Sequence, residues 1–486
     1  MNNLRDGEQK ILVDYPFLLP HEVIHWGLTA KRLDLNDLVD VAHRTDQELP
    51  HIKEKFCNQY ALNPSSTILL GFHGDGVAHH KGLKQASTEV YSWNFLSQRD
   101  GERSLFTVVP KHLLCACGCP SGRCTVDAIM ELFSWSMKVM LAGHFPATRH
   151  DGLALDPERA KQVHVPLGFF GGLQQARGDW MWYQQVFAFP HWNAERICWK
   201  CGASSSGICS YKNFSMDAPW RTTRKTALQF MREVVKGGKN ISPLFDSPGF
   251  TVDKVVIGVL HCVDLGVTAE VVGNIFWEYL QKVRRKKLEV RVQKLWVRLK
   301  EWYKINQAPS RLQGLTKDMI KKQKSKLAPK FKAKGAETRY LAPFCLDLAW
   351  EMHEKFQTEH THLVFVLIQT LNEFYIMLMD GDLWDQPHAA RTCQLFWELY
   401  KSLHLEAQKK KVKMWAIKPK FHLFQELVQY QALEHGNPRG FWEYKDEDFV
   451  GWVAKLATRR GGANTNRVLV DKVLQRWRIL FGQREV

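Results

Sequence analysis

The chain has 486 residues, 45% apolar and 24% charged, which excludes a mainly disordered, collagenous or coiled-coil polymer and leaves room for about three domains or one large interrupted one. Sixty-seven basic residues against fifty acidic ones give a net charge of +17, which points to a polyanionic partner. No apolar run is expected to approach the roughly 18 residues of a spanning helix, and the start, MNNLRDGEQKILVDYPFLLP, lacks a basic-then-apolar signal pattern. A soluble, intracellular protein with no membrane partner is expected. Its eleven cysteines, an odd number, then serve metal binding or burial rather than a disulfide framework.

Residues 1–65 read as short helices with polar joints, for example 21–28 and 35–44, forming a helical lead-in. The first strand is predicted at 66–73 (STILLGFH), ended by Gly74-Asp75-Gly76; 89–96 (EVYSWNFL) and 104–110 (SLFTVVP) follow as second and third. Residues 125–141 carry apolar positions at Ile129, Leu132, Phe133, Met137 and Met140, the spacing of one helix face. A fourth strand is predicted at 163–170, running irregularly to Gly178-Asp179, then a short helix at 180–187. Residues 254–262 (KVVIGVLHC) are the most strand-like of the chain, and helical spacing resumes at 267–282. From there to about residue 405 the pattern is helical, including 362–379; a strand or turn at 440–444 and helices at 446–459 and up to 481 close the chain.

Three strands, helix, strand, helix, strand and then helices is the order of an RNase H-like mixed α/β sheet with flanking helices, its first three strands antiparallel and the later ones joined by helical crossovers. The implied domains are the lead-in 1–65, an RNase H-like core at 66–282 with Cys-rich insertions at 115–124 and 198–250, a basic and mostly α-helical insertion at 283–415, and C-terminal helices at 416–486 that complete the core.

The positive charge is concentrated. Between residues 281 and 334 nineteen Lys or Arg face three acids, Glu289, Glu301 and Asp318, so this stretch holds almost the whole excess. Phosphate neutralisation with counterion release makes such a block a sequence-independent DNA contact, with Arg284, Arg285, Lys286, Lys287, Lys321, Lys322 and Lys324 as contact residues. Arg284 to Lys287 also reads as a nuclear-targeting run, and the block as a solvated helix face.

Three acids sit at predicted element ends. Asp75 lies past the first strand between two glycines that let the chain turn. Asp179 ends the fourth strand, and Asp446-Glu447-Asp448 opens a late helix, where the helix dipole favours carboxylates. If they converge, they suit two Mg²⁺ (or Mn²⁺) ions about 4 Å apart. Each also has an ordinary reading: turn residue, helix cap, charged helix start. His261 and Asp264 end the fifth predicted strand, where they either orient a ligand or scissile phosphate or cap the next helix.

Cys198 and Cys201 form a C-x2-C pair with Cys209 eight residues on, while Cys115, Cys117, Cys119 and Cys124 make a second knot. Structural Zn²⁺ needs four thiolate or imidazole ligands; Cys198 and Cys201 would supply two, with His191 or a cysteine of the other knot as partner, the alternative being reduced, partly buried thiols. His79, His80, His144 and His150 have no ligand register and read as surface or turn residues.

The segments FHGDGV (72–77), GDWMWYQQVFAF with CWKC after it (178–201), VLHCVDLGVTAEVVGNIFWE (259–278), KPKFHLF (418–424) and NPRGFWEYKDEDFVGWVAKLA (437–457) resemble eukaryotic cut-and-paste DDE transposases of the CACTA and Plavaka-like groups and, more distantly, hAT elements. The resemblance implies an RNase H-like core interrupted before its last helix by a helical insertion, DNA cleavage and strand transfer with Mg²⁺ or Mn²⁺, DNA and a homo-oligomer as partners, and a nuclear location. It matches the first acid to Asp75, the second to Asp179 and the third to Glu447, with Asp264 as alternative second and Glu443 as alternative third. The family's Cys-or-Asp, two residues, His signature aligns its His with His261, but here Gly258 stands three before it. No separate DNA-binding domain is expected ahead of the core within this sequence, so end recognition would fall to the basic insertion or to a segment outside it. A domesticated, non-catalytic DNA-binding copy and an RNase H-like nuclease are the alternatives.

Overall fold

The structure is a computed structural model and describes residues 14–41, 48–78, 87–98, 101–115, 123–282, 287–321, 327–379, 384–458 and 466–483. The chain forms two compact units: Met1–His191, Lys225–Val256 and Glu443–Val486 make the first, Trp192–Arg224 and Ile257–Trp442 the second.

A four-stranded mixed sheet organises the first unit. β1 (Thr67–Ala78) lies between β2 (Ser87–Phe95) and β4 (Phe170–Gly178), with β3 (Ser104–Pro110) outside β2, giving the order β3-β2-β1-β4. β1 runs antiparallel to β2 and parallel to β4, and β2 antiparallel to β3. A continuous apolar run suits the central strand, because helices cover both of its faces. One face carries Ile68, Phe72 and Gly74, packed under the Cys124–Ala142 helix through Phe133 and under the Trp180–Phe187 helix through Trp182. The other carries Gly71, His73 and Asp75, on the side of the Glu48–Tyr60 and Tyr444–Thr458 helices. Val450 and Val453 from that last helix join Val90, Leu105 and Val108 of the sheet, with Val470, Val473 and Trp477 of the Asn466–Gln483 helix, in one cluster.

The sheet corrects three sequence expectations. β1 does not stop before Gly74-Asp75-Gly76: Asp75 pairs with Val90 inside the strand. The glycines serve packing instead, since a Cβ on Gly74 would lie 2.0 Å from the Trp182 indole nitrogen and one on its register partner Gly178 2.5 Å from the same ring system. β4 begins at Phe170, where the predicted fourth strand ends; the residues before it form turns, because Pro166 and the left-handed Gly168 break the run. The predicted fifth strand shrinks to one parallel bridge, Val255 to Ala176, with the Val256 N–H donating to the Ala176 carbonyl at 3.0 Å. From Leu260 the backbone is helical, a wide π turn (Leu260–Thr268) leading into Ala269–Lys282. An apolar run buried all round fits a strand and a core helix equally well.

The second unit is helical wherever a long element is described: Ala269–Lys282, Leu288–Asn306, Ala342–Phe356, Glu359–Met379, Gln386–Lys409 and Pro419–Glu426. Glu359–Met379 is long and apolar enough, by length and composition, to cross a membrane, against the expectation that no segment is. It packs between the helices before and after it, and half of its most apolar window is buried, as in a core helix. His360 at its start bridges Glu278 (2.9 Å) and Glu406 (2.6 Å), and the Trp415 indole donates to Glu278 at 2.7 Å.

Candidate functional site

The place where β4 ends beside the still-paired β1 is the first site. Gly74 and Gly178 are register partners in the parallel pair, so Asp75 and Asp179 stand at equivalent positions one residue further along adjacent strands. Both are half-buried. Asp179 caps the Trp180–Phe187 helix, its Oδ1 accepting from the Trp182 N–H at 2.7 Å. The Tyr183 hydroxyl accepts from the Gly178 N–H at 3.2 Å and donates to the Val256 carbonyl. Burial and then the nearby Glu443 charge push that phenol well above its usual range, with Asp179 adding to the effect.

The Tyr444–Thr458 helix carries the third-acid candidates, and it begins two residues earlier than the sequence pattern places it. Asp446 is the acid that holds it down. Arg177 of β4 grips its carboxylate with two nitrogens at 3.1 and 3.2 Å, and Arg103 grips it from the segment before β3 at 2.8 and 3.4 Å. Burial opposes ionisation, but Arg177 and Arg103, with His73 behind them, hold the carboxyl well below the usual carboxylate range. Glu447 is half-buried one residue on. Glu443 is buried one turn back and takes a left-handed backbone (φ 72°) that a non-glycine residue rarely adopts, the kind of local strain that clusters at functional sites.

Sequence reading missed a further acid at this edge. Glu89 of β2 pairs with Gly76, and its carboxylate fills the space a side chain there would take. Burial raises its pKa and Asp179 adds to the rise, against the pull of Lys111. The signal was present, since Glu89 opens the predicted second strand, but which face it would occupy depended on register.

The second unit holds the other expected residues. Asp264 is fully buried and accepts from the Tyr375 hydroxyl at 2.5 Å; it lies inside a helix, not at a strand end. His261 is likewise helical, its carbonyl accepting from the Lys420 ammonium. Among the basic residues, Lys287 is exposed and Lys321 sits over the Trp277 ring at 4.9 Å; Arg284, Arg285, Lys286, Lys322 and Lys324 lie outside the described residues, as do His79, His80, Cys117 and Cys119. The Leu288–Asn306 helix exposes Lys294, Lys300 and Lys304.

Among the described residues, one group of at least three His, Cys, Asp or Glu side chains brings its ligand atoms within 4.8 Å of one another: Cys198, Cys201, His422 and Glu426, all buried. Among the described residues, the C-x2-C pair meets His422 and Glu426, partners that the sequence pattern did not name. His422 and Glu426 stand four apart on the Pro419–Glu426 helix and so share a face. The motif KPKFHLFQE carried this spacing, yet nothing in the sequence tied it to cysteines more than two hundred residues away. Cys201 Sγ lies 3.4 Å from His422 Nε2, which lies 3.6 Å from Glu426 Oε1. Burial opposes ionisation of Cys198, but the Cys201 thiol and His422 beside it hold its thiol well below the usual range. The group can hold a metal ion.

No protein-family model matches the chain, and no curated protein matches it.

Proposed function

We propose that the protein is a DDE transposase-like enzyme that cleaves DNA and transfers 3′-hydroxyl ends on an RNase H-like core, with Asp75 and Asp179 as its first two acids and the third supplied by the Tyr444–Thr458 helix. One observation carries this reading: the Gly74–Gly178 register pair puts Asp75 and Asp179 at equivalent positions of the parallel pair, just where β4 ends and β1 runs on paired with β2 alone, next to the carboxyl-end region where open α/β sheets bind ligands. The strand order β3-β2-β1-β4, with a residual bridge beyond β4, supports it, as does the sequence resemblance. Glu447 is the third acid by that resemblance, with Glu443 one turn away as its alternative. Asp264, held by Tyr375 inside a helix, gives no comparable support as the second acid.

The donor set is all carboxylate, the hard oxygen chemistry that magnesium prefers, and Glu89 adds a buried carboxyl group near Asp179. These acids do not gather into one 4.8 Å group; two ions about 4 Å apart spread their ligands more widely than one ion does. When bound, such ions would activate water or a 3′-hydroxyl and stabilise the leaving oxygen. The chain's own residues would fix where the acids stand: Asp446 through its two arginines, and Asp179 through its cap. The exposed lysines of the Leu288–Asn306 helix and the basic run before it would neutralise DNA phosphates.

Labelled DNA incubated with the purified chain tests this. Cleavage or strand transfer in Mg²⁺ or Mn²⁺, abolished by Asp75→Asn while DNA binding survives, is the expected result. DNA binding without cleavage by the unaltered chain in either metal would replace the reading with a non-catalytic DNA-binding scaffold, and cleavage confined to RNA–DNA hybrids would replace it with a nuclease.

A further inference from the structure

We infer that Cys198, Cys201, His422 and Glu426 form a closed, structural zinc centre that staples the irregular Trp192–Arg224 segment to the Pro419–Glu426 helix within the second unit, with Arg224 as its charge-balancing partner. The inference stands on this cluster alone and does not rest on the transposase reading.

The two edges that meet at His422 match a tetrahedral zinc site. With Zn–S near 2.3 Å and Zn–N and Zn–O near 2.0–2.2 Å, a tetrahedral site has S···N edges of about 3.5 Å and N···O edges of about 3.4 Å. The observed edges are 3.4 Å from Cys201 Sγ to His422 Nε2 and 3.6 Å from His422 Nε2 to Glu426 Oε1. The donor types discriminate as well. Two thiolates beside an imidazole favour zinc over the hard cations, which take all-oxygen sites.

The turn is built to present sulfur. The Lys200 N–H donates to Cys198 Sγ at 3.3 Å. Gly202 donates to the Thr223 hydroxyl at 2.8 Å, tying the turn to the far end of its own segment. Trp220 stands edge-on against the His422 ring, centroids 4.6 Å apart.

Charge closes the argument. Two thiolates, one carboxylate and a neutral imidazole around Zn²⁺ leave one net negative charge, which burial would make costly. Arg224 answers it, with Nη1 2.8 Å from Glu426 Oε2 and its guanidinium stacked 3.8 Å over the Tyr430 ring. Glu426 Oε1 has no hydrogen-bond partner although it is buried; a metal ion facing it supplies one. Because Arg224 takes the other carboxylate oxygen and all four ligands are buried, no open position remains for water, and a closed site of this kind stabilises a fold rather than hydrolysing a substrate.

Metal analysis of the full chain purified without added metal or chelator tests the assignment. The expected result is one zinc per chain, a zinc X-ray absorption spectrum with two sulfur and two nitrogen or oxygen neighbours, and the visible bands of tetrahedral thiolate-bound cobalt after Co²⁺ replacement. Cys198→Ser and His422→Ala should abolish those bands. Arg224→Gln should keep the stoichiometry and weaken zinc roughly 10- to 100-fold, the usual effect of losing an outer partner. A folded, metal-free chain, a Cys198–Cys201 disulfide in the purified protein, or an absorption spectrum without sulfur neighbours would each overturn it. The unaltered chain is measured in all three, so a variant that fails to fold does not obscure the answer.

Discussion

Asp446→Asn removes the carboxylate that two buried guanidinium groups grip. Arg177 is 1% exposed and Arg103 7% in their side chains, and Asp446 itself 1%. Removing one partner of a buried ion pair typically costs about 3–5 kcal/mol, because the remaining charge is stranded in low dielectric. Arg177, the more deeply buried of the two guanidinium groups, loses its carboxylate here, so a loss within that range is expected. Set against a typical total stability of about 5–15 kcal/mol, such a loss brings the sheet unit close to unfolding at room temperature. Urea titration followed by tryptophan fluorescence measures it, since the Trp93 and Trp182 rings report on the sheet. The double variant Asp446→Asn with Arg177→Met should recover part of the loss, as one stranded charge is then gone. A loss below about 1 kcal/mol, the size of a surface ion pair, or a double variant less stable than Asp446→Asn alone would refute the argument that this clamp positions the acid-bearing helix.

Gly74→Ala should cost about 1–3 kcal/mol or more by overpacking against Trp182, read as a lower urea midpoint, whereas a turn glycine with negative φ would tolerate alanine. Asp179 separates capping from chemistry: Asp179→Asn keeps a capping side chain and should leave the thermal midpoint near its original value while cleavage is lost, and Asp179→Ala should lose cleavage and about 1 kcal/mol of stability as well. His360 gives a pH signature. Burial lowers its pKa, but its bonds to Glu278 and Glu406 outweigh that and raise it above the ordinary 6.5. The stabilisation is therefore complete below the unfolded value and is lost as pH rises through the folded one. The thermal midpoint should fall as pH climbs above 6.5, and His360→Gln, which cannot take the charge, should flatten that fall.

Local pattern was enough for much of the molecule. β3 and the Trp180–Phe187 helix fall within the predicted residues, and the Cys124–Ala142 and Glu359–Met379 helices lie within a few residues of theirs, because amphipathic spacing and short β-rich runs are properties of neighbouring residues. Asp75 and Asp179 were legible as acids beside strands. What they stand beside was not. The Gly-Asp-Gly run looks like a turn in sequence, and only Trp182, arriving from another element, reveals why glycine is needed there.

Composition and spacing thus decided the class of chain, mixed α/β with a long basic helical stretch, and marked the residues able to do chemistry. Tertiary structure decided which of them meet. Asp446 rather than Glu447 takes the arginines, Asp264 is a helix residue held by Tyr375, and Cys198 finds its partners in His422 and Glu426. A side chain's partners are set by register, helix rotation and chain crossings summed over hundreds of residues, and a one-residue shift in any of these turns a carboxylate to the opposite face.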